Sequence, residues 1–204
     1  MMRLGWLALA AAAMMAATVG SAEATPATYT FSGVGAAYVC PSGDCDGATD
    51  VSGAFSFVIT SDTSLVDTSG SPYFYLRNVD GTFTSGSYSA TLTNVTLEAN
   101  SDPSFENVDF YDHDFLNGLG LSDTALSGYN LLSSIGPITE PSPSGFLTPT
   151  FGGGSGFSTT AGDVLYFVSD DTLTFTANVP EPLTLSIVGA GLAGATLILR
   201  RKKK

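Results

Sequence analysis

Positive charge is the scarcest property of this 204-residue chain: 7 Lys+Arg stand against 19 Asp+Glu, for a formal net charge of −12. That balance excludes a nucleic-acid binder, which needs a basic face to neutralise phosphates. Two cysteines are too few for a disulfide-rich miniprotein or a four-cysteine zinc site. A single histidine, His113, leaves no paired-histidine motif, and neither G-x-S-x-G nor H-E-x-x-H occurs. A Ser–His–Asp triad would have to pass through His113, and acid pairs for glycoside hydrolysis depend on a spatial separation that spacing does not reveal. The expectation is a chain without catalytic residues. What is abundant is apolar: 44% hydrophobic and 11% aromatic residues, with 23 Gly, too apolar for a wholly disordered chain.

Both ends read as processing and anchoring segments. Met1-Met2-Arg3 precedes an uncharged, Ala-rich run from Leu4 to Val19 and then Gly20-Ser21-Ala22-Glu23-Ala24. A positive start, an apolar stretch and an Ala-x-Ala site make a secretory signal peptide over 1–24, the substrate of signal peptidase, with cleavage after Ala24. A retained membrane helix is the other reading. At the far end, Leu183 to Leu199 carries no charge, and Arg200, Arg201, Lys202, Lys203 and Lys204 follow. At ~1.5 Å per residue such a helix is ~25 Å long, near the ~30 Å hydrocarbon core that snorkelling and local thinning let it span. The basic cluster stays cytoplasmic, so the preceding chain lies outside the inner membrane.

Setting the ends aside sharpens the charge. Without Glu23 and Glu181 there remain 17 acids; without Arg3 and the five tail residues only Arg77 remains among the bases. Residues 25–178 thus carry about −16, with no Lys, Met or Trp. Self-repulsion at this charge favours screening by salt or cations.

The pattern of 25–178 is all-β. Strands are expected at 29–39, 51–60, 73–79, 87–99, 107–111, 129–135, 164–168 and 172–177, rich in Val, Thr, Phe and Tyr. Val51, Gly53, Phe55, Phe57 and Ile59 share one side of a strand while Ser52, Ser56 and Thr60 face away. Leu92, Asn94, Thr96 and Glu98 are expected to oppose Thr93, Val95, Leu97 and Ala99. Asp80-Gly81 and Asp170-Asp171 signal hairpin turns. The one short helical turn is expected within Leu116–Ala125, and 136–162, with Pro137, Pro141, Pro143 and Pro149, reads as a long surface loop. The fold class expected is an antiparallel β-sandwich of jelly-roll type.

Three clusters carry candidate chemistry. Cys40 and Cys45 flank Pro41-Ser42-Gly43-Asp44, and export favours a structural disulfide between them. Asp44, Asp46 and Asp50 in the same turn are either solvated loop acids or oxygen ligands for Ca²⁺, without EF-hand spacing. Asp109, Asp112, His113 and Asp114 are either a solvated acidic turn or a metal site. Tyr73-Phe74-Tyr75 and Phe110-Tyr111 are either core or an aromatic platform for sugars.

Between domain and apolar tail stands Val179-Pro180-Glu181-Pro182. Two prolines fix φ and remove two N–H donors, so the segment stays extended. Pro180-Glu181-Pro182, the Leu183–Leu199 run and the Arg200–Lys204 cluster together resemble the sorting tail of the PEP-CTERM family of exported bacterial proteins. The resemblance covers about 25 C-terminal residues. It implies recognition by exosortase, a membrane sorting enzyme, and transfer to the cell surface or the exopolysaccharide matrix of a biofilm. The same kind of tail also carries an "ice-binding protein C-terminal" label, and no residue of this chain supports ice binding. The resemblance leaves the role of 25–178 open: a structural or interaction protein, a carbohydrate-binding module or a secreted hydrolase.

Overall fold

The computed structural model describes residues 26–43, 45–112, 118–141 and 156–180. They belong to one compact unit, Pro26–Pro180. Ten strands build it: β1 Pro26–Cys40, β2 Thr49–Asp50, β3 Gly53–Asp62, β4 Tyr73–Ser85, β5 Tyr88–Asn100, β6 Asn107–Tyr111, β7 Gly118–Ser122, β8 Ile135–Pro141, β9 Phe157–Ser158 and β10 Val164–Asn178. All pair antiparallel in one curled sheet of order β7-β6-β5-β4-β3-β1-β10-β8, with β2 on β1 and β9 on β10. β3 to β7 follow one another as neighbours, so each connection is local. At one end of the curl β9 lies between β10 and β5, with Thr159 bridging Leu92 and the Thr160 N–H donating to Thr91 O at 2.9 Å. Elsewhere the Ser122 N–H at the end of β7 donates to the Glu140 carboxylate of β8 at 2.9 Å, which brings the two edge strands together.

Alternation explains why the sheet curls around a core. Tyr29 and Phe31 of β1, Phe55, Phe57 and Ile59 of β3, and Leu173, Phe175 and Ala177 of β10 all point inward and are buried, while the residues between them face out. Phe57 is the hub: its ring lies 5.9 Å from Phe55, 5.0 Å from Phe83, 4.8 Å from Phe110 and 5.7 Å from Phe157, centroid to centroid. Phe31 contacts Phe175 at 4.8 Å and Phe110 at 6.1 Å, joining the two halves of the curl. The outer face over β8, β10, β1, β3, β4 and β5 is a hydroxyl surface. One register row runs Thr139, Thr174, Ser32, Ser56, Thr84, Ser89 without a charge.

Several expectations are corrected. Asp80-Gly81 makes no turn; both residues lie within β4, where paired bulges interrupt the β4–β5 ladder between Leu76 and Gly81. Asn78 and Asn94, each at φ 55°, stand at these irregularities, an αL conformation that Asn tolerates better than most residues. Asp170-Asp171 also lies within a strand, so 164–168 and 172–177 are one continuous β10; its register against β1 jumps from Val34↔Thr172 to Gly35↔Asp170, leaving Asp171 as the extra residue. The hairpin between β4 and β5 instead turns at Gly86-Ser87, with Gly86 at φ 56°. No strand occupies 129–134: Leu131 sits buried at φ 65°, and its carbonyl accepts the Tyr29 hydroxyl at 2.6 Å. Within Leu116–Ala125 the described part is mainly the strand β7, followed by a 3₁₀ turn at Thr124–Leu126 that Asp123 caps through the Ala125 N–H. The expected 136–162 loop contains most of β8 and all of β9, and 142–155 lie outside the described residues.

Cys40 and Cys45 are joined, with S–S 2.05 Å and Cα–Cα 4.5 Å, at the end of β1. Replacing Cys45 with Ser should cost about 2 kcal/mol, the loop-closure contribution of so short a ring. Equilibrium urea unfolding of oxidised, reduced and substituted protein reads that difference, and a substituted protein as stable as the oxidised one would contradict it.

Candidate functional site

On the outer side of β4, β5, β6 and β7 the hydroxyl surface gives way to a different chemistry. The two bulges change which side chains of β5 face out. Leu92 and Val95 are both buried in the core, and beyond them Leu97 and Ala99 point in while Thr96, Glu98 and Asn100 lie on the opposite side of the sheet, where they too are buried. The expected opposition of Leu92, Asn94, Thr96 and Glu98 to Val95 and Leu97 therefore breaks at Asn94. The register then aligns Tyr75 of β4, Glu98 of β5, Asp109 of β6 and Gly120 of β7 in one row. Tyr73, Asn100, Asn107 and Ser122 form the next row. Directly opposed residues on adjacent strands have Cβ atoms ~4.5–5.5 Å apart, so Glu98 and Asp109 are a cross-strand pair of like charges.

Each carboxyl is held. The Tyr75 hydroxyl hydrogen-bonds Glu98, and Arg77 favours its charged form, yet burial dominates and raises the Glu98 pKa. Asp109 is 4% exposed. It accepts hydrogen bonds from the Tyr111 hydroxyl and from Asn107 Nδ2, but burial, followed by the neighbouring Glu98 charge, pushes its pKa up to about 7. The Tyr111 hydroxyl is raised in turn, first by its own burial and then by Asp109. Asn107 is 8% exposed, and its Oδ1 has no hydrogen-bond partner. Gly118 and Gly120 make room for this arrangement, since a Cβ at either would collide with the Tyr111 ring or the Asp109 carboxylate.

Beside the acids lies an aromatic edge. Tyr73 and Tyr75 are near-parallel, 15° between ring planes and 6.4 Å between centroids, and Tyr73 is 41% exposed. Arg77 covers the Tyr75 ring, with its Cζ 4.1 Å from the centroid. The aromatic candidates from the sequence are therefore divided: Tyr73, Tyr75 and Tyr111 face outward, Phe74 packs against the core and Phe110 is buried in it.

Among the described residues the other candidates do not assemble into a site. Asp46 and Asp50 are exposed, and Asp50 accepts the Ser52 N–H at 2.8 Å; the Ser52 side chain first, and this backbone bond second, lower its pKa; Asp44 lies outside the described residues. Asp109 and Asp112 are buried, while His113 and Asp114 lie outside the described residues. Among the described residues no group of three or more His, Cys, Asp or Glu is placed to hold a metal ion. Of the sorting motif, Pro180 is described and exposed, and Glu181, Pro182 and the 183–204 tail lie outside the described residues, as do 1–25. Among the described residues no helix is long and apolar enough to cross a membrane. Val179 belongs to the fold: it is 8% exposed, its N–H donates to Ser134 Oγ at 2.8 Å and its carbonyl accepts from the same hydroxyl at 2.9 Å.

Sequence reasoning missed Glu98, Asn107 and Arg77. The usable signal was Asn94, a residue suited to positive φ in the middle of an otherwise alternating strand. Comparison with known proteins finds no matching family, no matching curated protein and no matching solved structure.

Proposed function

We propose that the chain is an exported protein, sorted through its PEP-CTERM-like tail by an exosortase-like membrane enzyme, whose β domain serves as a non-catalytic interaction module in surface or biofilm exopolysaccharide. In this reading the two halves of the curled sheet act as the layers of a β-sandwich. The tail resemblance supports the sorting half: Pro180-Glu181-Pro182, an apolar run and a basic end follow directly on the last residue clamped in the fold, Val179. The observation that carries the interaction half is the near-parallel Tyr73–Tyr75 pair beside the Glu98–Asp109 carboxyls on an outer sheet face. Sugars bind through ring stacking on aromatics combined with hydrogen bonds from fixed polar groups, and this face offers both. That makes the carbohydrate-binding module the preferred form of the proposal over a purely structural role.

Two measurements test it. Intact-mass analysis of the protein isolated from its native cell should show both ends removed, the first after Ala24; a protein carrying both termini uncut would end the sorting proposal. In affinity electrophoresis through gels containing matrix polysaccharide, the chain should be retarded. Tyr73→Ala with Tyr75→Ala should weaken that retardation about tenfold, the loss of the exposed Tyr73 stacking surface and of the Tyr75 ring beside it. Migration unaffected by every polysaccharide would end the glycan proposal.

A further inference from the structure

Building on the glycan-binding reading, we propose that Glu98, Asp109 and Asn107 form a subsite for a primary ammonium group, so that the preferred glycan is one bearing free amino sugars rather than neutral or uronic acid residues. Three observations lead there. Glu98 and Asp109 face each other across β5 and β6, and both are buried. Asn107, on the same outer face two residues before Asp109, is itself more than nine-tenths buried; its amide touches the Asp109 carboxylate and its Oδ1 lacks a partner. The cluster therefore presents carboxylate oxygens and one unsatisfied amide oxygen, an excess of acceptors over donors.

An ammonium group is the complement of that set: three N–H donors, no acceptor and one positive charge. A Ca²⁺ ion fits poorly, because it takes six to eight oxygens and the described residues place no third carboxylate here. Arg77 lies over the Tyr75 ring and favours the charged form of Glu98 against the larger effect of burial, and among the described residues Asp109 is served by Tyr111 and Asn107. Among the described residues the charged and titratable groups on this face beside the pair are Tyr73, Tyr75 and Arg77 from β4 and Tyr111 from β6; the paired positions of β7 are Gly118, Gly120 and Ser122. Tyr73 and Arg77 are the exposed members, so a sugar ring approaches from the β4 side, stacks at Tyr73 and directs its amine toward the acids. The charge of the unit, about −16, opposes polyuronates and favours an aminated polymer.

The test is titration of the purified chain with a β-linked glucosamine oligosaccharide, its fully N-acetylated counterpart of equal length, and a lysine oligopeptide. The amine form should bind at least about tenfold more tightly than the acetylated form, as expected for losing charge-assisted hydrogen bonds. Glu98→Gln and Asp109→Asn, each checked for native circular dichroism, should remove that preference, so that each variant binds the amine and acetylated forms equally. Equal affinity for the two sugars overturns the subsite and leaves the glycan reading standing. Binding to neither sugar overturns both. A preference that survives both substitutions, or a lysine peptide bound as tightly as the amino sugar, assigns the effect to overall charge and overturns the subsite.

Discussion

Phe57→Ala is expected to destabilise the domain by about 3–5 kcal/mol, the usual range for deleting a buried ring from a close-packed core. Phe57 is fully buried, and four other phenylalanine rings surround it within 6 Å. They come from β3, β4, β6 and β9, so the cavity left behind opens at the centre of the curl, where no single side chain can collapse into it. A domain of ordinary stability, about 5–15 kcal/mol, would be left close to its unfolding threshold. Chemical denaturation should show a much lower midpoint with an unchanged slope. Phe57→Leu, which keeps most of the volume, should recover more than half of the loss, and a Phe57→Ala protein within about 1 kcal/mol of the parent would contradict the packing described.

The second large effect is one of pH. Asp109 has an unfolded-state pKa near 3.8 and a folded-state pKa of about 7, raised by burial and by Glu98. Between those values the folded protein holds a proton that the unfolded chain has released, so stability falls as pH rises. The loss begins near pH 4 and is complete above about pH 7. A shift of some three pH units corresponds to about 4 kcal/mol. Glu98 is raised as well and acts in the same direction. Exposed Asp50 and Asp67, whose pKa values are lowered by Ser52 and Ser69, act in the opposite direction, below about pH 4. Asp109→Asn, which mimics the protonated carboxyl, should flatten the slope between pH 4 and 7 and make the variant the more stable protein at pH 8. Thermal melts across that range decide it: a parent whose midpoint climbs from pH 5 to pH 8 would show that Asp109 is ionised in the fold.

The same residues show where the sequence could be read and where it could not. In β3 the alternation of Phe55, Phe57 and Ile59 with Ser56 and Thr60 assigns inside and outside correctly, because every residue obeys a period of two. In β5 that period is interrupted by Asn94, and a one-residue slip moves every later side chain to the opposite face. Glu98 then shares a face with Asp109, a neighbour only through a strand pairing that linear spacing does not contain. β7 escaped for another reason. Gly118-Leu119-Gly120-Leu121 falls in the stretch expected to hold a short helical turn, yet Leu119 and Leu121 are buried in a strand, and the glycines are required by the Tyr111 ring and Asp109 carboxylate lying over them. Asp80-Gly81 and Asp170-Asp171 misled in the reverse sense, since residues suited to turns also suit bulges. The all-β class and the Cys40–Cys45 bridge were legible because they depend on composition and on a short loop.

The anchoring of Val179 through Ser134 has a mechanical consequence. β10 lies between β1 and β8, so tension applied at Pro180 pulls the strand along its own axis. Its ladders to both neighbours are then strained together in shear instead of opening one rung at a time. Under the proposed attachment through the segment after Pro180, drag on the domain would load β10 in this shear direction.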